Sequence, residues 1–224
     1  MTTMFYISAA VALVASVMVI TRANAVHALL YLIVSLLATV VYIQMNSTLS
    51  VYLRDMHNVS PQGFGYILSL NAAMVVVFQF WITRRISKYA PMLMMALGTA
   101  FVGVGFVMYG FVTTFMMFML AMVIITIGEM VFVPVAQALA AKFAPENMRG
   151  RYMAMFSFSW TLPVAIGPLL AGLIMDNYDP NWVWYAAGIL ATIAVFGYLW
   201  LHAWVDEHEE PKTEIEPIVA PVYE

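Results

Sequence analysis

Long, uninterrupted runs of apolar residues alternate with short polar stretches along most of the chain. About 20 apolar residues in a helix span the hydrocarbon core of a bilayer, whereas membrane strands would alternate apolar and polar positions. The pattern therefore predicts an all-α, polytopic membrane helix bundle of about seven transmembrane helices. The predicted spans are approximately Thr3–Ile20, Ala28–Leu53, Gly63–Thr83, Pro91–Gly110, Thr113–Ala141, Tyr152–Met175 and Trp182–Trp204.

Composition supports lipid as the solvent of this chain, because 64% of its residues are hydrophobic and only 9% are charged. The absence of cysteine excludes disulfides and thiolate metal sites. The sequence has no phosphate-binding glycine loop, metal-ligand spacing or nucleophile–base arrangement. We therefore expect no conventional enzyme, no cofactor, no metal site and, without a basic surface, no nucleic-acid partner.

The basic residues predict the orientation of the bundle. Counting alternate loops places eight of the nine Lys and Arg residues on one side and only Arg54 on the other. Such an excess is typical of cytoplasmic loops. We expect an outside N-terminus, a cytoplasmic C-terminus, and a multi-pass protein of the inner (plasma) membrane. The acidic segment 206–224 predicts a disordered cytoplasmic tail.

One acidic side chain, Glu129, falls within a predicted span. A carboxylate at membrane depth costs on the order of 2.5–3.5 kcal/mol on insertion scales, so it is a candidate functional site. It could alternate between a proton-bound state and a state paired with a substrate or a partner. It could instead hydrogen-bond between helices and have only a structural role.

Four amides form a second group of candidates: Gln44, Asn46, Asn71 and Gln79. Polar residues are costly on a lipid-facing surface, so these side chains are expected to face the bundle interior or a cavity. They could line a cavity that orients a mostly apolar substrate. Hydrogen bonds between helices are the alternative. Asn46 is favoured as a cavity residue, because Gln44, Ser47 and Ser50 lie beside it in the sequence.

The connections between spans carry further candidates. Five charged residues either fix the topology or form a cytoplasmic gate in which Glu146 pairs with an arginine: Arg84, Arg85, Glu146, Arg149 and Arg151. Three prolines within predicted spans are expected to kink their helices: Pro134, Pro163 and Pro168. The carbonyls that they free must be satisfied by protein or a cavity.

Two stretches carry a family resemblance. YIQMNSTLSVYLRDMHNVSPQGFGYILSLNAAMVVVFQFWITRRI and TIGEMVFVPVAQALAAKFAPENMRGRYMAMFSFSWTLPVAIGPLLAG resemble the seventh and eighth, and the tenth and eleventh, helices of a major facilitator transporter. The resemblance extends over about 40–203 and is to the C-terminal six-helix half of the drug:proton antiporter type. The turn WITRRISKYAP lacks the full glycine–aspartate–arginine form of the family's signature.

The first 38 residues resemble a different family. FYISAAVALVASVMVITRANAVHALLYLIVSLLA, with its phrase TRANAVHALLYL, is similar to the N-terminus of subunit J of the respiratory NADH:quinone oxidoreductase. A natural fusion, a designed chimera and an assembly error are all compatible with this change. The expected organisation is a subunit J-like membrane segment over 1–38, a six-helix bundle over 39–205 and the tail over 206–224.

The transporter resemblance implies proton-coupled efflux of small amphipathic molecules across the bilayer. Because alternating access in this fold moves one half against another, a half-transporter needs a second half, either a homodimer or a partner membrane subunit. The alternatives are an accessory subunit of a respiratory NADH:quinone oxidoreductase complex and an inactive chimeric or truncated product.

Overall fold

A computed structural model of the chain describes residues 25–144 and 149–208. These residues form helices and short connections and contain no strand. The helices are α1 (Ala25–Ile43), α2 (Thr48–His57), α3 (Pro61–Ile86), α4 (Pro91–Tyr109), α5 (Phe115–Phe143), α6 (Arg149–Asn177) and α7 (Trp182–His208). The predicted first span, 3–20, and most of the tail lie outside the described residues.

Six spans of the described chain are long and apolar enough to cross a membrane. The first of them, Leu30–His57, combines α1 and α2. The all-α membrane bundle predicted from the sequence is confirmed. The predicted total of seven spans and their orientation stay predictions.

A polar turn at residues 44–47 separates α1 from α2. The backbone N–H groups of Gln44, Met45 and Asn46 donate to carbonyls three residues earlier, at 3.2–3.3 Å, as in a tightened 3₁₀ turn. The Ser47 hydroxyl donates to the Ile43 carbonyl, and the Leu49 N–H to the Gln44 carbonyl. Local polar groups therefore satisfy the backbone where the helix is interrupted, as an apolar environment requires.

Helix α4 lies at the centre of the bundle and packs most extensively against α5 and α7. Small residues allow these close approaches. A Cβ added to Gly98 would lie 2.8 Å from the Phe132 backbone nitrogen on α5, and one added to Gly103 would lie 2.5 Å from the Ala191 Cβ on α7. The central helix therefore meets its neighbours nearly backbone to backbone.

Helices α3 and α6 lie at the periphery. α3 packs mainly on α5, and α6 mainly on α1. In the most apolar part of α3 only 6% of the residues are buried inside the bundle, against 50% in α5. The bundle therefore leaves large apolar surfaces on α3 and α6 for lipid or for another protein.

The two ends of the bundle differ in composition. At one end, the last turn of α3, the start of α4 and the last turns of α5 surround a common cavity of about 220 Å³ that includes Lys142. At the other end, Tyr52 of α2 donates to the Tyr109 carbonyl of α4, and Tyr109 donates to the Phe118 carbonyl of α5, each at 3.0 Å. One end is therefore basic and the other is bound together by aromatic side chains.

Candidate functional site

Glu129 of α5 is the centre of a polar contact between three helices. The Tyr42 hydroxyl of α1 donates to Glu129 Oε1 at 2.8 Å. The Asn71 amide of α3 donates through Nδ2 to Glu129 Oε2 at 2.7 Å. Each carboxylate oxygen thus accepts one bond, and each bond ties α5 to a different helix.

The local sequence of α5 supports this arrangement. Thr126, one turn before Glu129, donates its hydroxyl hydrogen to the Met122 carbonyl at 2.7 Å. Its oxygen can therefore accept, and Asn71 Nδ2 donates to it at 3.0 Å. Gly128 brings α5 against α4, because a Cβ there would lie 2.5 Å from the Gly98 carbonyl oxygen. The helix is fixed on one side while Glu129 is held on the other.

Among the described residues, neutral side chains donate to the carboxylate and no basic side chain forms an ion pair with it. Within residues 25–144 and 149–208, the one ion pair joins Arg54 and Asp55 at 2.6 Å, both of them largely exposed. An ionised carboxylate at membrane depth is costly without a counter-charge. Proton uptake by Glu129, or its pairing with a cationic group, stays a prediction of the sequence.

Gln79 compensates for a proline in α5. Pro134 has no N–H, so it leaves the Met130 carbonyl four residues earlier without its helical partner. Gln79 of α3 donates through Nε2 to that carbonyl at 3.1 Å and to the Thr83 hydroxyl at 2.9 Å. This is the satisfaction by neighbouring protein that the sequence argument required. The helices α5 and α6 continue through Pro134, Pro163 and Pro168, and the kinks stay predictions.

A cavity of about 460 Å³ opens between α1, α5 and α6 next to this cluster. Tyr42 lines it and also bonds Glu129, so this side chain connects the carboxylate to the cavity. Trp160 of α6 meets the Tyr42 ring edge-on at a centroid distance of 5.8 Å. Gln137, Ser157 and Thr161 add polar groups to a wall that is otherwise apolar and aromatic.

The polar groups of the cavity remain able to bind a ligand. Ser157 and Thr161 donate to carbonyls of their own helix at 2.9 Å, which leaves their oxygens available as acceptors. Gln137 is exposed, and its side-chain amide makes no hydrogen bond to another residue of the described chain. A small amphipathic molecule would therefore find aromatic faces and a few hydrogen-bonding groups, as ligand sites commonly provide.

The four predicted amides do not form one patch. Asn71 and Gln79 both connect α3 to α5. Gln44 is buried and bonds within its own segment, to the Val40 carbonyl and the Thr48 hydroxyl. Asn46 is exposed, and its side chain makes no hydrogen bond to another residue in the described part of the chain. The geometry thus joins two of the four to Glu129 or its helix, and a role for Gln44 and Asn46 stays a prediction.

The predicted gate residues are placed only in part. Arg84, Arg85, Arg149 and Arg151 are exposed, at the end of α3 and the start of α6. Glu146 lies outside the described residues, so its pairing with an arginine stays a prediction.

Sequence reasoning did not identify Tyr42, Thr126 and Gln137 as site residues. Tyr42 was hidden within an apolar run, and threonine at membrane depth usually bonds its own helix, as Thr126 also does. One available signal was the three-residue spacing of Thr126 and Glu129, which places both on one face of α5.

Comparisons with known proteins agree on one family. A model described as Major Facilitator Superfamily matches residues 26–222, and so begins inside the segment that resembles subunit J. A Na(+), Li(+), K(+)/H(+) antiporter of Planococcus maritimus is 25% identical over 187 residues, covering 77% of this chain and 44% of the relative. Lincomycin resistance protein LmrB of Listeria monocytogenes is 29% identical over 107 residues, covering 47% of this chain and 22% of the relative.

Solved structures show the same fold at low sequence identity. A POT family transporter in complex with 5-aminolevulinic acid superposes with a TM-score of 0.73 at 17% identity, covering 88% of this chain and 46% of that one. A peptide transporter POT (E310Q mutant) in complex with alafosfalin gives 0.68 at 18% identity, covering 83% and 41%. The chain thus spans less than half the length of these relatives and structures.

Proposed function

The chain belongs to the major facilitator superfamily, and we propose that it forms one six-helix half of a transporter that exports small amphipathic molecules in exchange for protons. The observation that carries the proposal is Glu129, held between α1 and α3 by two neutral donors with no described cation beside it.

Protonation of Glu129 would couple to helix position. Each carboxylate oxygen already accepts one hydrogen bond, from Tyr42 or from Asn71. A proton on either oxygen weakens that atom as an acceptor and makes the group a donor. Proton uptake would therefore loosen the contact of α5 with α1 or α3, and proton release would restore it. A difference in contacts between two states is what a conformational switch requires.

Tyr42 would link the protonation state of Glu129 to the binding of substrate. It bonds the carboxylate and also lines the 460 Å³ cavity beside Trp160. When Glu129 is protonated, the Tyr42 hydroxyl is freed to bond a molecule in the cavity. When Glu129 is ionised, the carboxylate holds Tyr42 back and attracts a cationic group. A cationic group and a proton would thus compete for the Glu129 carboxylate.

The substrate class follows from the cavity. Three aromatic side chains and three uncharged, non-aromatic polar side chains suit a molecule with an apolar body and a few polar groups. The similarity to a cation/proton antiporter and to a lincomycin resistance protein favours testing monovalent cations and lincomycin first. Ethidium, an amphipathic cation, is a useful fluorescent probe beside them.

The organisation of the whole transporter is proposed from the share of its relatives' length that this chain covers. The chain spans 44% of the antiporter and 46% of the superposed transporter. We assign residues 39–205 to the half-bundle, 1–38 to an additional membrane segment and 206–224 to a cytoplasmic tail. The second half would come from another copy or a partner subunit. The basic end would face the cytoplasm, where Glu146 could pair with Arg149 or Arg151.

The test is transport by reconstituted vesicles with an imposed proton gradient, using lincomycin, ethidium and Na⁺ as probes. Glu129→Gln keeps the size of the side chain but removes the exchangeable proton. It should abolish gradient-driven movement of the probe that the unchanged protein transports, while insertion is retained. Asp176→Asn, which changes an exposed carboxylate at the end of α6, is the matched control. Equal gradient-driven transport by Glu129→Gln would refute the role proposed for this residue.

A further inference from the structure

A group of basic and aromatic side chains at the end of α3 has no part in the proposed transport site. A cavity of about 620 Å³ is lined by Trp81, Arg84, Arg85 and Lys88 alone. All four side chains are exposed, and Trp81 is 80% exposed. An open surface of this kind, with three positive charges around an indole ring, is suited to an anionic ligand.

Helical spacing places the group on one face. Arg84 and Arg85 follow Trp81 by three and four residues, and at about 100° per residue the three side chains fall within a sector of about 100° on α3. Lys88 lies two residues beyond the last residue of the helix. Val77, one turn earlier and 64% exposed, lies in the same sector, and Phe78, 49% exposed, lies about 20° beyond its edge. The face therefore changes along α3 from exposed apolar side chains, through Trp81, to three positive charges.

The charges have no partner within the described chain. The only ion pair among the described residues joins Arg54 and Asp55, which precede α3 in the sequence. Gln79, which bonds the Met130 carbonyl of α5, lies on the opposite side of α3 at about 100° per residue. Three like charges in close succession repel one another unless an anion lies between them.

We propose that this face binds an anionic phospholipid, with its phosphate between Arg84, Arg85 and Lys88 and its acyl chains along Trp81, Phe78 and Val77. Arginine binds phosphate oxygens through two parallel N–H bonds. Tryptophan is typical of the boundary between headgroups and hydrocarbon. A free phosphate would use only the charges, whereas a lipid explains why exposed apolar side chains continue the same face into the membrane depth. Basic side chains next to an anionic leaflet bind it electrostatically.

The test is lipid retention by the purified full chain, measured by native mass spectrometry with phosphatidylglycerol against phosphatidylcholine. The substitution of Arg84, Arg85 and Lys88 by Gln should lower the affinity for phosphatidylglycerol about 100-fold, because each of the three charges contributes a factor of about five. It should leave phosphatidylcholine binding unchanged. The substitution of Lys142, Arg149 and Arg151 by Gln removes the same charge from other described positions and should have little effect.

A second measurement separates the possible ligands. Brominated phosphatidylglycerol should quench part of the tryptophan emission, and Trp81→Phe should remove that part. Excess inorganic phosphate should not restore the unquenched emission. Displacement by phosphate would show an ion site, not a lipid site. The proposal would be overturned if both triple substitutions left the same retention of phosphatidylglycerol, or if Trp81→Phe did not change the quenching. The three charges would then bind another partner, such as the acidic segment 206–224.

Discussion

The contact between α4 and α5 gives the sharpest test of the packing, and Gly128→Ala is the change that probes it. Gly128 immediately precedes Glu129, so its contact with α4 helps to decide where the carboxylate lies. A Cβ at this position would lie 2.5 Å from the Gly98 carbonyl oxygen and 2.8 Å from the Val102 backbone nitrogen. Unstrained contacts are about 3.5 Å or longer. Both obstacles are backbone atoms, so no side-chain rotation can relieve the overlap.

The magnitude is the difference between two opposing terms. Overpacking costs typically 1–3 kcal/mol, and rigid backbone on the opposing helix favours the upper limit of about 3 kcal/mol. Alanine gains up to about 1 kcal/mol over glycine in helix propensity. The net expectation is a loss of about 2 kcal/mol, which is about a 30-fold shift toward the unfolded state.

The assay is reversible unfolding in mixed micelles of increasing denaturing-detergent content, followed by circular dichroism. Gly65→Ala is the matched control, because a Cβ at Gly65 would meet no atom within 4 Å. It should be neutral or slightly stabilising. If Gly128→Ala were as stable as Gly65→Ala, the close approach of α4 and α5 would be wrong. Glu129 would then not be positioned in this way.

Two further predictions concern hydrogen bonds between helices. Gln79→Leu should cost about 1–3 kcal/mol in the same unfolding assay, because the Met130 carbonyl loses its donor. In a Pro134→Ala background that cost should shrink, since the alanine N–H can bond Met130 instead, and an unchanged cost would contradict this assignment. Tyr52→Phe should cost about 1 kcal/mol, because the Tyr109 carbonyl is left unpaired. No loss of stability there would show that the aromatic end is not fixed by this bond.

The helices of the fold were predictable because each needs about 20 apolar residues to cross the bilayer, and such runs are visible in the sequence. Six of the seven predicted spans correspond to the spans of the described residues, within a few residues at most ends. The resemblance to a major facilitator transporter is confirmed by the family match. The break at residues 44–47 was not predicted. Gln44 lines a cavity between α1, α6 and α7 and also bonds the Val40 carbonyl, while Ser47 bonds the Ile43 carbonyl of the interrupted helix.

The site was predictable only at its centre. Glu129 stood out because an acid at membrane depth is costly and rare. Its partners did not stand out. Tyr42, 87 residues away in sequence, becomes a partner only when α1 and α5 are packed together. Hydropathy records how apolar a span is but not which face meets which helix. The sequence therefore favoured Asn46 among the amides, whereas Asn71 is the one that bonds Glu129 in the structure.

The central claim is that Glu129 takes up a proton and that this protonation changes its hydrogen bond with Tyr42. Infrared difference spectroscopy of the purified chain between acidic and neutral pH measures this directly, through the carbonyl band of a protonated carboxyl group, and needs no substrate. The account predicts a carboxyl band that disappears in Glu129→Gln and shifts in Tyr42→Phe, where the hydroxyl donor is lost. A band unchanged by Glu129→Gln would contradict the account.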